Sequence, residues 1–187
     1  MAQKRKDWNG LISGFKASDL VFLDESGCNT DMTRRYAYSL GGSRAVDSAP
    51  LSKPRNTTIL SSIQLDGTLR YTTFSGGTTV ERFKRYLETD LLPHLNGNSV
   101  LVMDNMKSHH AKAVKELLDS SGVRYIYLPP YSPDLNPFEK LWSKVKALLR
   151  KFKARTLDAL PNAIQNAFHS VTVSDCSGWF RFYGYVP

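Results

Sequence analysis

Apolar and polar positions follow two different periods along this chain, and the change from one to the other marks out its elements. Leu20 to Leu23 are four consecutive apolar residues ending on Asp24, the pattern of a short buried strand. A second strand is predicted near Arg35 to Leu40, punctuated by Gly41-Gly42. Thr57 to Leu65 and Thr68 to Phe74 are β-rich runs around Asp66-Gly67, a dipeptide suited to a tight turn, and together they predict a hairpin. The first part of the chain therefore reads as mainly antiparallel sheet.

After Gly76-Gly77 the period lengthens. Phe83, Tyr86, Leu87 and Leu91 share one helical stripe, Thr78 and Glu81 have the spacing of a capping box ahead of it, and Pro93 closes it. Ser99 to Asp104 then reads as an apolar strand, His110 to Ser120 as a helix and Val123 to Leu128 as a strand, the alternation expected of parallel crossover units. The run Pro129-Pro130-Tyr131-Ser132-Pro133-Asp134-Leu135-Asn136-Pro137 excludes helix and inner strand. It ends on a helix start, with Asn136 as N-cap and Pro137 at the first helical position. A long helix is predicted from there to about Phe152, burying Phe138, Leu141, Trp142, Val145, Leu148, Leu149 and Phe152, and another over Thr156 to His169.

Composition narrows the class. The 187 residues are 41% hydrophobic, enough for the core of one domain. There is no apolar run of eighteen residues and no apolar stretch after the basic start, so neither a membrane span nor a secretion signal is expected. Cys28 and Cys176 show no metal-ligand or disulfide spacing, which suits a reducing cytoplasm. Residues 1–18, with Lys4-Arg5-Lys6, are expected to form a basic N-terminal tail, either disordered or a backbone-binding arm, ahead of a single domain over 19–187. The net charge of +8 favours polyanionic partners. It is concentrated in Lys140, Lys144, Lys146, Arg150, Lys151, Lys153 and Arg155, with no acid among them. Such a run is either a solvated face or a phosphate-binding surface. Lys146 and Arg150 favour the second reading because, with Ser143, they fall on the same helical face as Glu139.

The carboxylates carry the candidate chemistry. Asp24 ends the first strand and Asp104 ends the strand after the first helix. If those strands are neighbours, both carboxylates leave one edge of the sheet, where Glu139 at the start of the long helix completes a cluster. Converging carboxylates repel unless cations sit among them, and oxygen-only ligation suits magnesium or manganese. Each acid also has a plainer reading. Asp24 is a polar strand end beside Glu25, Asp104-Asn105 is turn chemistry, and Glu139 is an N3 acid that stabilises its helix. Asp134 is a rival third acid or a turn former. His109 either donates to a ligand or phosphate or merely starts its helix, and His110 is read as a surface residue.

The segments Val21-Phe22-Leu23-Asp24-Glu25-Ser26-Gly27, Val102-Met103-Asp104-Asn105 with His109, and Leu128 to Glu139 resemble the DDE transposases of the mariner superfamily, in the bacterial insertion-sequence branch. The 34 positions 105–138 between Asp104 and Glu139 match the spacing of that branch. The resemblance runs from Asp19 to Val186. It implies an α/β ribonuclease H-like (retroviral-integrase-like) fold, a mixed five-stranded sheet flanked by helices. It also implies cut-and-paste transposition, with two Mg²⁺ or Mn²⁺ ions held by Asp24, Asp104 and Glu139 and no covalent protein intermediate. Asn105 and His109 would support the site, and Lys107, Lys140, Ser143, Lys146 and Arg150 would contact DNA. The implied partners are element ends and target DNA, a second copy in a homodimer, and a separate N-terminal DNA-binding half, since the first core strand begins about twenty residues from Met1 and leaves no room for helix-turn-helix modules. The implied location is the nucleoid in a prokaryotic cytoplasm. Ala37 stands after Arg34-Arg35-Tyr36 where the family usually has glycine. Two other readings remain: a different ribonuclease H-like nuclease, or a catalytically silent fragment that binds DNA or a full-length partner.

Overall fold

The computed structural model describes residues 2–34, 36–48, 50 and 54–186. Five strands, β1 (Leu20–Cys28), β2 (Thr57–Gln64), β3 (Leu69–Ser75), β4 (Val100–Met103) and β5 (Arg124–Tyr127), form one sheet in the order β3-β2-β1-β4-β5. β1, β2 and β3 pair antiparallel through the predicted hairpin, and β4 and β5 add parallel to β1. This is the mixed five-stranded sheet of the ribonuclease H-like fold. Among the described residues six α-helices surround it: α1 (Ala2–Ile12), α2 (Val80–Tyr86), α3 (Lys112–Ser121), α4 (Phe138–Phe152), α5 (Leu160–His169) and α6 (Val173–Phe182).

The central strands are covered on both faces, which is why β1 and β4 are continuous apolar runs rather than alternating ones. Leu20, Phe22, Val100 and Val102 face a core shared with α4, α5 and α6, including Trp142, Phe168 and Phe180. Val21, Leu23, Leu101 and Met103 face a second core built with Phe83, Leu87, Val114 and Leu118 of the α2 and α3 layer. Each such fully buried side chain contributes about 1.5–3 kcal/mol relative to exposure.

Several expectations are revised. Residues 36–40 are not a strand, and Arg35 lies outside the described residues. Tyr36, Tyr38 and Leu40 stand in solvent, and both edges of β1 are taken by β2 and β4. The cap of α2 is Thr79, whose hydroxyl accepts the Arg82 N–H at 3.3 Å, one residue after the Thr78 expected from the spacing. Helix α2 continues through a π-helical turn at Leu87–Leu91 before Pro93. Phe152 is exposed at the end of α4, and the helix predicted from Thr156 begins at Leu160. Residues 2–12, read as tail, include α1, and Trp8 enters the core at 4% exposure. Helix α6 was not anticipated. It starts at a capping box between Thr172 and Asp175 and sets Phe180 edge-on to Phe22, with ring centroids 5.4 Å apart.

A carboxylate-lined cleft as candidate active site

The parallel register Leu23↔Met103 sets Asp24 and Asp104 side by side as the next residues of β1 and β4. Pairing with β4 stops there, so the two chains separate and the carboxylates stand where the sheet opens. Asp24 does not end its strand, as its side of β1 runs on against β2 through Asp24↔Ser61 to Cys28↔Thr57. The Pro129 to Pro137 loop returns across this opening and delivers the start of α4. Its capping is as read from sequence: Asn136 Oδ1 accepts the Phe138 N–H at 3.1 Å, and Pro137 has helical backbone angles. Asp24, Glu25, Asp104, Asn105, Glu139, Trp142 and Lys146 all line one cleft of about 680 Å³. Among the described residues, no three His, Cys, Asp or Glu side chains close around a single point. The acids therefore share the wall of a cleft rather than form a finished cage.

Two of the acids are held by named partners. Asp24 Oδ1 accepts the Glu25 backbone N–H at 2.8 Å, and Oδ2 accepts Asn136 Nδ2–H at 3.0 Å and Trp142 Nε1–H at 3.3 Å. Burial raises the Asp24 carboxyl to about 7, with the charges of Glu25 and Asp104 adding to the effect and the Glu25 N–H and Trp142 opposing it. Asp104 Oδ1 accepts the Met106 N–H at 2.9 Å and lies 2.8 Å from His109 Nδ1. Burial pushes Asp104 up, but the His109 ring and the Met106 N–H outweigh it and leave it below the ordinary carboxylate value. His109 is fully buried, and burial disfavours its charged form. The Asp104 and Glu25 carboxylates on either side more than reverse this and lift it to about 9. Glu139 is exposed in the first turn of α4, at the positive end of the helix dipole, which favours an acid there.

Of the candidate supporting residues, Asn105 lines the cleft while its amide donates to the Leu128 carbonyl and ties the end of β4 to the loop after β5. The basic run separates into distinct tasks. Lys146 reaches the cleft, and with Arg150 it lines an adjoining groove over residues 27–33. Lys140 sits 4.0 Å above the Phe182 ring, Lys144 pairs with Asp175, Lys153 pairs with Asp47 at 2.6 Å, and the Arg155 guanidinium donates to the Thr30 and Met32 carbonyls. Lys107 and Ser143 are exposed and stand outside the cleft lining. His110 is exposed and stacks on Tyr127 at 4.1 Å. Sequence reasoning missed Glu25 and the polar role of Trp142. An acid directly beside Asp24 was the available signal for the first, whereas Trp142 looked like core and is core except for its N–H.

Residues 19–161 match the family model described as DDE superfamily endonuclease. The transposable element Tc1 transposase of Caenorhabditis elegans is 28% identical over 97 residues, covering 50% of this chain and 36% of the relative. The Tcb2 transposase of Caenorhabditis briggsae is 31% identical over 75 residues, covering 40% of this chain and 28% of the relative. The Mos1 transposase paired-end complex with left transposon end superposes with a TM-score of 0.80 at 18% identity, over 95% of this chain and 57% of the Mos1 chain. The catalytic domain of Mos1 mariner transposase gives 0.68 at 16% identity over 96% of this chain. The chain thus spans about a third of the Tc1 and Tcb2 relatives and 57% of the Mos1 chain of the paired-end complex, but 85% of the isolated Mos1 catalytic domain. On the family match across most of its length, it belongs to the DDE superfamily endonucleases.

Proposed function

We propose that the chain is the catalytic domain of a mariner/Tc1-type DNA transposase that hydrolyses phosphodiesters at element ends and joins the freed ends to target DNA. The observation that carries this reading is the convergence of Asp24, Asp104 and Glu139 on one cleft with Lys146 on its wall. The spacing of 34 positions, 105–138, supports assignment to the bacterial insertion-sequence branch, with action at the nucleoid of a prokaryotic cytoplasm. Element ends and target DNA are the proposed substrates, a second copy the proposed partner in the DNA complex, and a separate DNA-binding half the proposed source of end recognition.

The cleft fits divalent cations. Asp24, Asp104 and Glu139 offer only oxygen, the donor set of Mg²⁺ and Mn²⁺. Burial above all, with the charges of Glu25 and Asp104 adding to it, lifts Asp24 to about 7, a penalty on its charged form that positive charge in the cleft offsets. Asp24 and Asp104 would hold two ions, with Glu139 completing the set. When bound, the ions supply Lewis acidity on the phosphodiester oxygens and lower the pKa of the attacking hydroxyl. Asn136 and Trp142 keep Asp24 turned to the cleft, and His109 with the Met106 N–H does the same for Asp104. Lys146, and Arg150 beyond it, offset phosphate charge along the path leading out of the cleft. No side chain is asked to form a covalent bond to DNA.

Incubation with labelled element ends and Mg²⁺ or Mn²⁺, beside chelator, tests the proposal. Metal-dependent nicking and joining that Asp104→Ala abolishes is the expected result. Cleavage that survives Asp104→Ala removes the assigned site. Binding without cleavage in any metal favours the silent-module reading instead.

A further inference from the structure

Glu25 is a carboxylate with no evident reason to be where it is. Its side chain is 12% exposed, it lines the cleft beside Asp24, and neither of its oxygens has a hydrogen-bond partner. A buried carboxylate without compensation costs several kcal/mol. Its compensation is His109, whose Nε2 lies 3.5 Å from Glu25 Oε2, an ion-pair separation rather than a hydrogen bond. The imidazole is fully buried, lies against the Phe83 ring at 4.2 Å, and its backbone carbonyl accepts the Tyr127 hydroxyl at 3.0 Å. The ring is thus packed on Phe83 with its backbone anchored by Tyr127, and its remaining nitrogen, Nδ1, meets Asp104 Oδ1 at 2.8 Å.

We propose that Glu25 is a positioning residue that acts through His109 on Asp104, aiming the Asp104 carboxylate into the cleft for a divalent cation. The geometry gives each member of the chain one task. Glu25 fixes the imidazole by its Nε2 side, the imidazole and the Met106 N–H both engage Oδ1 of Asp104, and Oδ2 is left to face a ligand. Carboxylate–imidazole–carboxylate support of this kind behind a metal ligand typically sets affinity by about 10- to 100-fold. Glu25 shares the cleft lining with Asp24, but its carboxylate faces His109 Nε2, so it acts on Asp104 through the ring. The inference rests on reading the cleft as a divalent-cation site.

The test is Mn²⁺ binding by the whole chain, followed by electron paramagnetic resonance of free Mn²⁺, together with imidazole ¹⁵N shifts of His109 in the metal-free protein. Glu25→Ala is expected to weaken Mn²⁺ binding by about 10- to 100-fold and to move the His109 Nε2 shift. Glu25→Gln keeps the size and removes the charge, so it is expected to move both readouts in the same direction, and it guards against loss of folding in the alanine variant. In a His109→Gln background, Glu25→Ala is expected to add little, because the path it acts through is gone. Mn²⁺ affinity unchanged in both Glu25 variants overturns the inference, as do effects of Glu25→Ala and His109→Gln that simply add. Failure of the unsubstituted chain to bind Mn²⁺ overturns the reading of the cleft itself and the inference with it.

Discussion

Asn136 joins helix capping to site geometry, so its removal has a calculable effect. Its Oδ1 accepts the buried Phe138 N–H at 3.1 Å, and its Nδ2 donates to Asp24 Oδ2 at 3.0 Å. In Asn136→Ala the cap is lost, at about 1–1.5 kcal/mol for a buried amide. The bond to the carboxylate adds about 1.5 kcal/mol, the low end of the range for a charged acceptor because the Trp142 Nε1–H still serves the same oxygen. The sum is about 3 kcal/mol, or a fall in Tm of about 6–12 °C for a chain of this size. The assay is thermal and urea unfolding in chelator at pH 8, above the Asp24 value of about 7, so that the carboxylate is charged and no bound ion adds to stability. Asn136→Ser restores the cap alone and is expected to recover about 1 kcal/mol. Asn136→Asp also caps, but it sets a second carboxylate against Asp24 and is expected to be the least stable of the three at pH 8. A loss below about 0.5 kcal/mol in Asn136→Ala, within the range of neutral surface changes, would refute the argument that this one amide holds both the helix and the acid.

Three further outcomes follow from the same geometry. Asp24 is raised from 3.8 to about 7, so the folded chain keeps a proton the unfolded chain releases. That stabilisation is complete below about pH 4 and is lost as pH rises through 7, so in chelator the gap between Asp24→Asn and the unsubstituted chain, measured by urea unfolding, should widen in favour of the variant over that window; a gap independent of pH contradicts it. Lys146→Ala is expected to weaken DNA binding and reduce the salt slope by about 1, whereas Lys144→Ala, whose partner is Asp175, should leave the slope unchanged and cost under about 1 kcal/mol of stability; equal slopes in the two variants would contradict the division of the basic run. Gly67 has φ +88 in the β2–β3 turn, and a Cβ there would come within 3.1 Å of the Val173 backbone, so Gly67→Ala should lose about 1–3 kcal/mol in denaturant unfolding, and a neutral result would mean the turn relaxes freely.

The sheet and the opposed aspartates were legible because they rest on local signals: continuous apolar runs for doubly covered strands, Asp66-Gly67 for the hairpin, and Asn136-Pro137 for the start of α4. What the sequence could not supply were long-range partners. Tyr36, Tyr38 and Leu40 alternate like a strand, but they stand in solvent and pair with none of the five strands. The basic run looked uniform, yet its partners Asp47 and Asp175 lie in distant segments, and only folding shows that Lys153 and Lys144 are committed while Lys146 faces the cleft. Helix α6 has a weak stripe, with Val173 and Phe182 exposed and Cys176 and Phe180 buried, so its one clear signal was the Thr172 to Asp175 capping box. Glu25 was passed over because an acid next to another on a strand points away from it, and nothing local announces a histidine 84 positions later waiting behind.

The most direct test of the central claim is cleavage and strand joining on labelled DNA ends by this chain and by Glu139→Gln, with Mg²⁺ or Mn²⁺ against chelator. Glutamine preserves the shape of the first turn of α4 while removing the carboxylate's charge, so folding is retained. The account predicts metal-dependent cleavage and joining that are lost in the variant. Activity that persists in Glu139→Gln would contradict the assignment of the third acid and, with it, the cleft as a three-carboxylate site.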